Sequence, residues 1–395
     1  MRYGRAAIPA LVGGLLLTAL LWWAGASAPA LHLPGSANVI DGQAAAQLEH
    51  WLTPWSYDPP ASVQYGAEPS GGVGGTASSN GTPYLALYAT ALQVRFGAVF
   101  VFFVLGALLL VRRLPPVHGR MPAALLAVWA WGLVAGTLAV AVSAPWLIAA
   151  QGHGSYRFLP QLAGVISSGR QVLVATALVA AAVTVLVARV AAKGAGPLPR
   201  AAVPARAARL AATAGAAVIA VSLVVLSYQP VAAVLQTVSP NSGLLAEPGD
   251  LLRQWLLLGA WTAPGGTPLG DWLLYRAADV LLLAVVWCAL RRLPGLLTRA
   301  TVPAMATGAV CATVLGLLAG QLLRMALDGA GSGMRWGLLY LSATIGDGVP
   351  AALTCGLVAG VAASLTLRVA TGRAKSADAT ASAEDPASAE DPTRP

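Results

Sequence analysis

Apolar runs of transmembrane length alternate along the chain with polar stretches, and most are broken off by arginine. The pattern predicts eight helices: Ala6 to about Ala24, Gln93 to Val111, Ala123 to Trp146, Val172 to Val187, Leu210 to Ser227, Ala277 to Leu290, Val302 to Leu323 and Pro350 to Leu367. One stretch occurs twice. Arg95 to Arg120 and Arg276 to Arg299 each open on an arginine, run through an apolar span, reach Arg-Arg-Leu-Pro and close on another arginine. Each reads as a transmembrane helix with its cytoplasmic stop.

Further matches extend the duplication. Gly132-Leu-Val-Ala-Gly136 matches Gly316-Leu-Leu-Ala-Gly320, Arg157 before Phe158 matches Arg335 before Trp336, Ile166 to Gly169 matches Ile345 to Gly348, and Leu48 to Trp51 matches Leu252 to Trp255. The expected fold is all-α: a polytopic integral membrane protein of eight transmembrane helices as two tandem parallel four-helix repeats, with cytoplasmic N- and C-termini. An even number of spans per unit sets both units the same way up, as a parallel and not an inverted repeat.

The boundaries follow from composition. Residues 1–188 form the first four-span repeat, with an outer loop at 27–92 that lacks Lys and Arg over most of its length. Residues 189–209 form a basic cytoplasmic linker. The second repeat is 210–370, with an outer loop at 231–274, and 371–395 is a tail expected to be disordered, because it carries no large apolar residue and repeats Ser-Ala-Glu-Asp-Pro. The first run also resembles a cleaved signal peptide. Its counterpart Leu210 to Ser227 follows Arg206 and Arg209 in mid-chain, which favours a retained span. The apolar segments 158–167 and 336–345 are interfacial or re-entrant candidates.

Composition agrees with a bilayer: 57% of residues are hydrophobic and 10% charged, against about 25% charged in a soluble domain. The net charge of +9 does not indicate nucleic acid, because the basic residues stand at the ends of apolar runs. Of the 24 Lys and Arg, only Arg95, Arg157, Arg170, Arg253, Arg276, Arg324 and Arg335 fall on the outer side; seventeen fall inside. With two lysines and abundant Ala, Gly and Arg, the chain is assigned to a bacterial cytoplasmic membrane. Cys288, Cys311 and Cys355 lie inside spans and read as core residues.

Little in the sequence carries chemistry. No Walker A, HExxH or nucleophile elbow is present, and no inner loop is large enough for a nucleotide-binding domain, so direct ATP coupling by this chain is not expected. His32, His50 and His153 lack ligand spacing, and no metal site, cofactor or catalytic residue is expected. The candidate ligand or gate residues are the charged groups near the outer ends of spans: Arg95, Arg157, Arg276, Asp279, Arg324, Arg335 and Asp347. Ionisable groups at the bilayer centre cost roughly 2.5–3.5 kcal/mol on insertion scales, which makes them functional candidates; near the interface they also serve as snorkelling anchors. Arg276 and Asp279 share a helix face and are expected to pair, whereas Arg95 has Ala98 at the matching position.

Gly132 and Gly136, Gly316 and Gly320, and Gly356 and Gly360 are expected helix-packing faces, since small residues four apart let backbones approach in lipid. Trp51, Trp55, Trp255 and Trp261, on short outer helices, are candidate partner-binding residues. Three function classes follow: a non-enzymatic binding or assembly component using its outer loops on membrane or envelope protein partners; a transporter or lipid-handling permease with a pathway between the repeats; and, last, an outer-leaflet enzyme using Glu49, His50 or Asp271.

Overall fold

The computed structural model describes residues 3–32, 42–59, 81–114, 120–151, 158–192, 204–238, 247–261, 268–297, 300–328 and 334–384. Among these the α-helices are α1 (Tyr3–Ala26), α2 (Gly42–Leu52), α3 (Gly81–Arg113), α4 (Met121–Ala150), α5 (Phe158–Ser167), α6 (Arg170–Ala191), α7 (Ala205–Ala220), α8 (Gln229–Thr237), α9 (Gly249–Leu256), α10 (Leu269–Leu296), α11 (Val302–Asp328) and α12 (Met334–Glu384). A π-helical turn, Val221–Leu226, prolongs α7. The described residues contain no named strand, only an isolated bridge between Tyr228 and Trp261. Eight helices are long and apolar enough to cross a membrane, within α1, α3, α4, α6, α7 with its π turn, α10, α11 and α12.

Proline marks several helix starts, where a missing N–H costs nothing. Pro204 and Pro268 precede α7 and α10, and α4 begins at Met121-Pro122. The eight long helices fall into two quartets with the same order of neighbours. In one, α1 packs on α3, α3 on α4, α4 on α6, and α6 back on α1; in the other, α7 packs on α10, α10 on α11, α11 on α12, and α12 back on α7. The quartets meet chiefly where α4 packs against α11 and where α12 lies against α4 and α6. Their shared core includes Phe103, Leu133, Val286, Leu290 and Val314, all essentially without exposure.

Small residues sit at these crossings, but two matching pairs face different neighbours. A Cβ on Gly132 would lie 2.8 Å from the Ala177 Cβ of α6, and Gly136 faces Leu173 of the same helix. Gly316 and Gly320 instead face α10, where a Cβ would lie 3.1 Å from the Leu282 carbonyl oxygen and 3.2 Å from that of Ala278. Gly356 packs on α11, with Val310 Cα 2.7 Å from such a Cβ, and Gly360 packs on Ala306 and Met305. The two Gly-x-x-x-Gly sequences are therefore alike in pattern and not in contact.

Several boundaries differ from expectation. α3 starts at Gly81, inside the stretch 27–92 read as loop, because Tyr88, Ala91 and Leu92 bury a helix face. At 33 residues it spans roughly 50 Å, longer than the ~30 Å hydrocarbon layer. α10 likewise takes residues 269–274 from the second loop. α5 is a separate short helix, whereas residues 336–345 belong to α12. α12 runs on to Glu384, so 371–384, expected to be disordered, is helical; its alanines have the highest helix propensity. Cys311 and Cys355 are buried as expected, but Cys288 is exposed on α10.

Candidate functional site

The loop-bearing end of the bundle, opposite the two arginine pairs Arg112-Arg113 and Arg291-Arg292, gathers most of the charged groups flagged by the sequence. Asp279 is buried nearly three turns into α10. It forms an ion pair with Arg276, one turn earlier, at 2.8 Å and accepts a hydrogen bond from Arg324 of α11 at 2.6 Å. The expected pair is thus a triad of two arginines on one carboxylate. The Arg276 guanidinium also lies 4.5 Å above the Trp261 ring and 6.0 Å from that of Trp272, and the two rings meet edge to face. Stacking on aromatic faces suits the flat, weakly hydrated guanidinium.

A second ion pair was not foreseen. Arg170, the first residue of α6, is buried, and its Nη1 reaches Asp347 of α12 at 2.8 Å and the Gly346 carbonyl at 2.7 Å, while its Nε donates to the Ile166 carbonyl at 2.8 Å. One side chain therefore ties together the two matching tetrapeptides, Ile166 to Gly169 and Ile345 to Gly348. Two signals pointed to it. Arginine at a helix N-terminus opposes the macrodipole, and Arg170 directly follows the tetrapeptide Ile166 to Gly169 that matches Ile345 to Gly348 at its two ends.

Arg95 has a different environment. It is buried in α3, with Nε donating to Ser143 Oγ at 2.9 Å, Nη1 to the Pro54 carbonyl, and the guanidinium 5.7 Å from the Trp55 ring. Among the described residues no carboxylate pairs with it. Trp55 is wholly buried, its Nε1 donating to the Gly169 carbonyl at 2.8 Å, and it packs against Phe96. Gly169 has φ 72°, and a Cβ there would lie 2.8 Å from Pro54 Cβ and 2.9 Å from Trp55 Nε1, so both conformation and space call for glycine. Trp55, a partner-binding candidate by sequence, is buried within the chain as a keystone between α1, α3 and the start of α6.

The remaining tryptophans vary. Trp51 and Trp255 are half-buried, and the Trp255 carbonyl accepts from Thr354 of α12. The neighbouring Leu256 carbonyl accepts from Ser222 of the π turn. These bonds satisfy carbonyls that a helix C-terminus leaves open and fix α9 to the bundle. Trp261 is engaged by Arg276 as above. Trp22 and Trp23 are the well-exposed aromatics, at 52% and 67%, near the end of α1.

Between the quartets at this end lies a cavity of about 800 Å³. Arg170, Arg253 and Arg324 line it with Asp250, Asp347, Gln254, Gln321 and Ser167, beside apolar Leu257, Leu258 and Leu317. Three of these carry a buried polar atom without a hydrogen-bond partner in the protein: Arg170 Nη2, Gln254 Oε1 and Arg324 Nε. Such atoms are costly unless something meets them. Arg324 and Asp347 are thus brought into the cavity, and Arg276 and Asp279 are linked to it through Arg324. Arg95 is held apart; Arg157 lies outside the described residues, and Arg335 is in the first turn of α12. The sequence reading missed Arg253 and Gln254 because nothing in α9, taken alone, points them at α11.

Among the described residues no three His, Cys, Asp or Glu side chains come together as metal ligands. Glu49 and His50 belong to α2, and Asp271 to α10 in the other quartet. The eight apolar helices and the buried charges at their ends define a multi-pass membrane protein. No protein-family model, characterised protein or solved structure matches the chain.

Proposed function

We propose that the chain is a non-enzymatic binding component of a bacterial cytoplasmic membrane, built by tandem duplication, with both termini inside and the 800 Å³ cavity opening on the extracytoplasmic side. The identical order of helix neighbours in the two quartets supports the duplication. Burial of Ala10, Leu17 and Leu21 of α1 against the core supports its retention as a span. By sequence, seventeen of the 24 basic residues fall in the segments read as cytoplasmic, which supports the orientation.

One observation carries the binding assignment: arginines from α6, α9 and α11 converge on one polar cavity, and its lining residues hold buried donors on Arg170 and Arg324 and a buried acceptor on Gln254 that lack a partner. The four arginines of the cavity and its triad face three aspartates, a slight cationic excess that suits a carboxylate- or phosphate-bearing envelope component. Transport is the second reading. The cavity faces α12 along Leu317, Gln321 and Arg324 of α11, and the other large seam cavity borders the opposite face of α11, sharing no lining residue with it. That separation favours binding over passage.

The test is purification from native membranes in nanodiscs, with mass spectrometry of what accompanies the wild type and Arg253→Glu. Arg253 is exposed and outside the triad, so its change leaves the bundle intact. An anionic component present with the wild type and lost with Arg253→Glu is the expected result. An unchanged complement in both preparations overturns the assignment.

A further inference from the structure

The Arg-Arg-Leu-Pro end holds a second cavity, of about 360 Å³, between α3 and α4 of one quartet and α10 and α11 of the other. Its lining is apolar apart from Arg113 and Arg292, with no acidic residue. These are the second arginines of the two Arg-Arg-Leu-Pro sequences, brought from separate halves to one groove. On α10 the lining runs from Val285 to Leu296 and on α11 from Ala304 to Leu315. Eleven residues of helix rise about 16 Å, half of the ~30 Å hydrocarbon layer and so the depth of one leaflet. Cys288, an exposed side chain in the lining, opens the groove toward the surrounding lipid. At the groove's end, Arg120 Nη1 donates to the Leu296 carbonyl at 3.0 Å and ties the two quartets.

We propose that this groove is a site for one anionic phospholipid, its acyl chain along α10 and α11 and its phosphate between Arg113 and Arg292. An apolar slot one leaflet deep selects a chain, and two guanidinium groups without a neighbouring carboxylate in the lining select an anionic headgroup. A small water-soluble anion would leave the apolar lining unfilled. The site gives the duplicated motif a role beyond orientation: only the second arginine of each motif lines the groove. Arg291, the first of its motif, is exposed and lies 5.3 Å from the Trp287 ring instead.

The test is native mass spectrometry of the full chain in detergent with phosphatidylglycerol or phosphatidylcholine added. The wild type retains one phosphatidylglycerol in preference to phosphatidylcholine. Arg113→Gln with Arg292→Gln weakens that retention about thirtyfold, whereas Arg291→Gln leaves it unchanged. Cys288→Trp, at an exposed position, fills the groove and removes the lipid with both arginines present; it decides the matter where the double variant fails to fold. Equal retention of the two lipids by the wild type, or undiminished phosphatidylglycerol on either the double variant or Cys288→Trp, overturns the proposal.

Discussion

Arg95 and Arg276 stand at matching places, each opening the apolar run that ends in Arg-Arg-Leu-Pro, yet the two halves of the bundle treat them differently. Arg276 shares the Asp279 carboxylate with Arg324 and lies on two indole rings. Arg95 is met by a serine hydroxyl, a proline carbonyl and one indole. The difference follows from one residue: the position three after Arg95 is Ala98, while that after Arg276 is Asp279. Without an acid, the first half meets its arginine with Ser143 and the Pro54-Trp55 turn and leaves Nη2 without a partner in the protein. With one, the second half recruits Arg324 of α11, which links the anchor to the cavity. Two helices of matching sequence pattern can thus hold the same place in the order of neighbours while only one of them joins a polar cluster.

The comparison is most exposed at Asp279. Asp279→Ala strands two arginines and is expected to cost about 3–5 kcal/mol in unfolding free energy, measured by thermal or denaturant unfolding in nanodiscs. Adding Arg276→Met and Arg324→Met to Asp279→Ala is expected to restore about 1–4 kcal/mol of that, since apolar replacement of a whole buried ion cluster is near neutral. Removing Arg276 and Asp279 alone should restore less, because Arg324 stays behind; a double variant as stable as the triple one would reduce the triad to a pair.

Arg95→Met should be milder, about 1–3 kcal/mol, because it orphans neutral acceptors and no countercharge. A loss equal to that of Asp279→Ala would erase the distinction between the halves. Gly169→Ala, which forces a Cβ into the left-handed region against Pro54 and Trp55, should cost about 1–3 kcal/mol and shift Trp55 fluorescence. Smallest is Trp55→Phe, which keeps the ring and loses the bond to the Gly169 carbonyl, at about 1 kcal/mol in the same unfolding assay.

The eight apolar helices were legible because hydropathy is a local property and lipid admits few structures: every backbone group must bond within its own segment. The Arg276–Asp279 contact was legible for the same reason, being one helical turn. The burial of Trp55 was not legible, since a tryptophan in a polar, proline-bearing outer stretch looks exposed until Gly169 and Phe96 close around it. Arg324 was flagged, but its partner on α10 was not, because the α10–α11 register depends on packing. The paired Gly-x-x-x-Gly sequences misled in the opposite direction, as a four-residue spacing specifies a smooth helix face and not which helix lies against it.

Alone, then, the sequence determined the all-helical class, the eight apolar spans, and charged residues gathered at their ends, since each follows from composition read over a few turns. The tertiary structure decided which charges meet. It joined Arg170 to Asp347 across 177 residues, Arg324 to Asp279 across 45, and Arg113 to Arg292 around one groove. Those meetings depend on the rotation and axial register of packed helices, which small side chains permit in several arrangements and only the assembled bundle fixes.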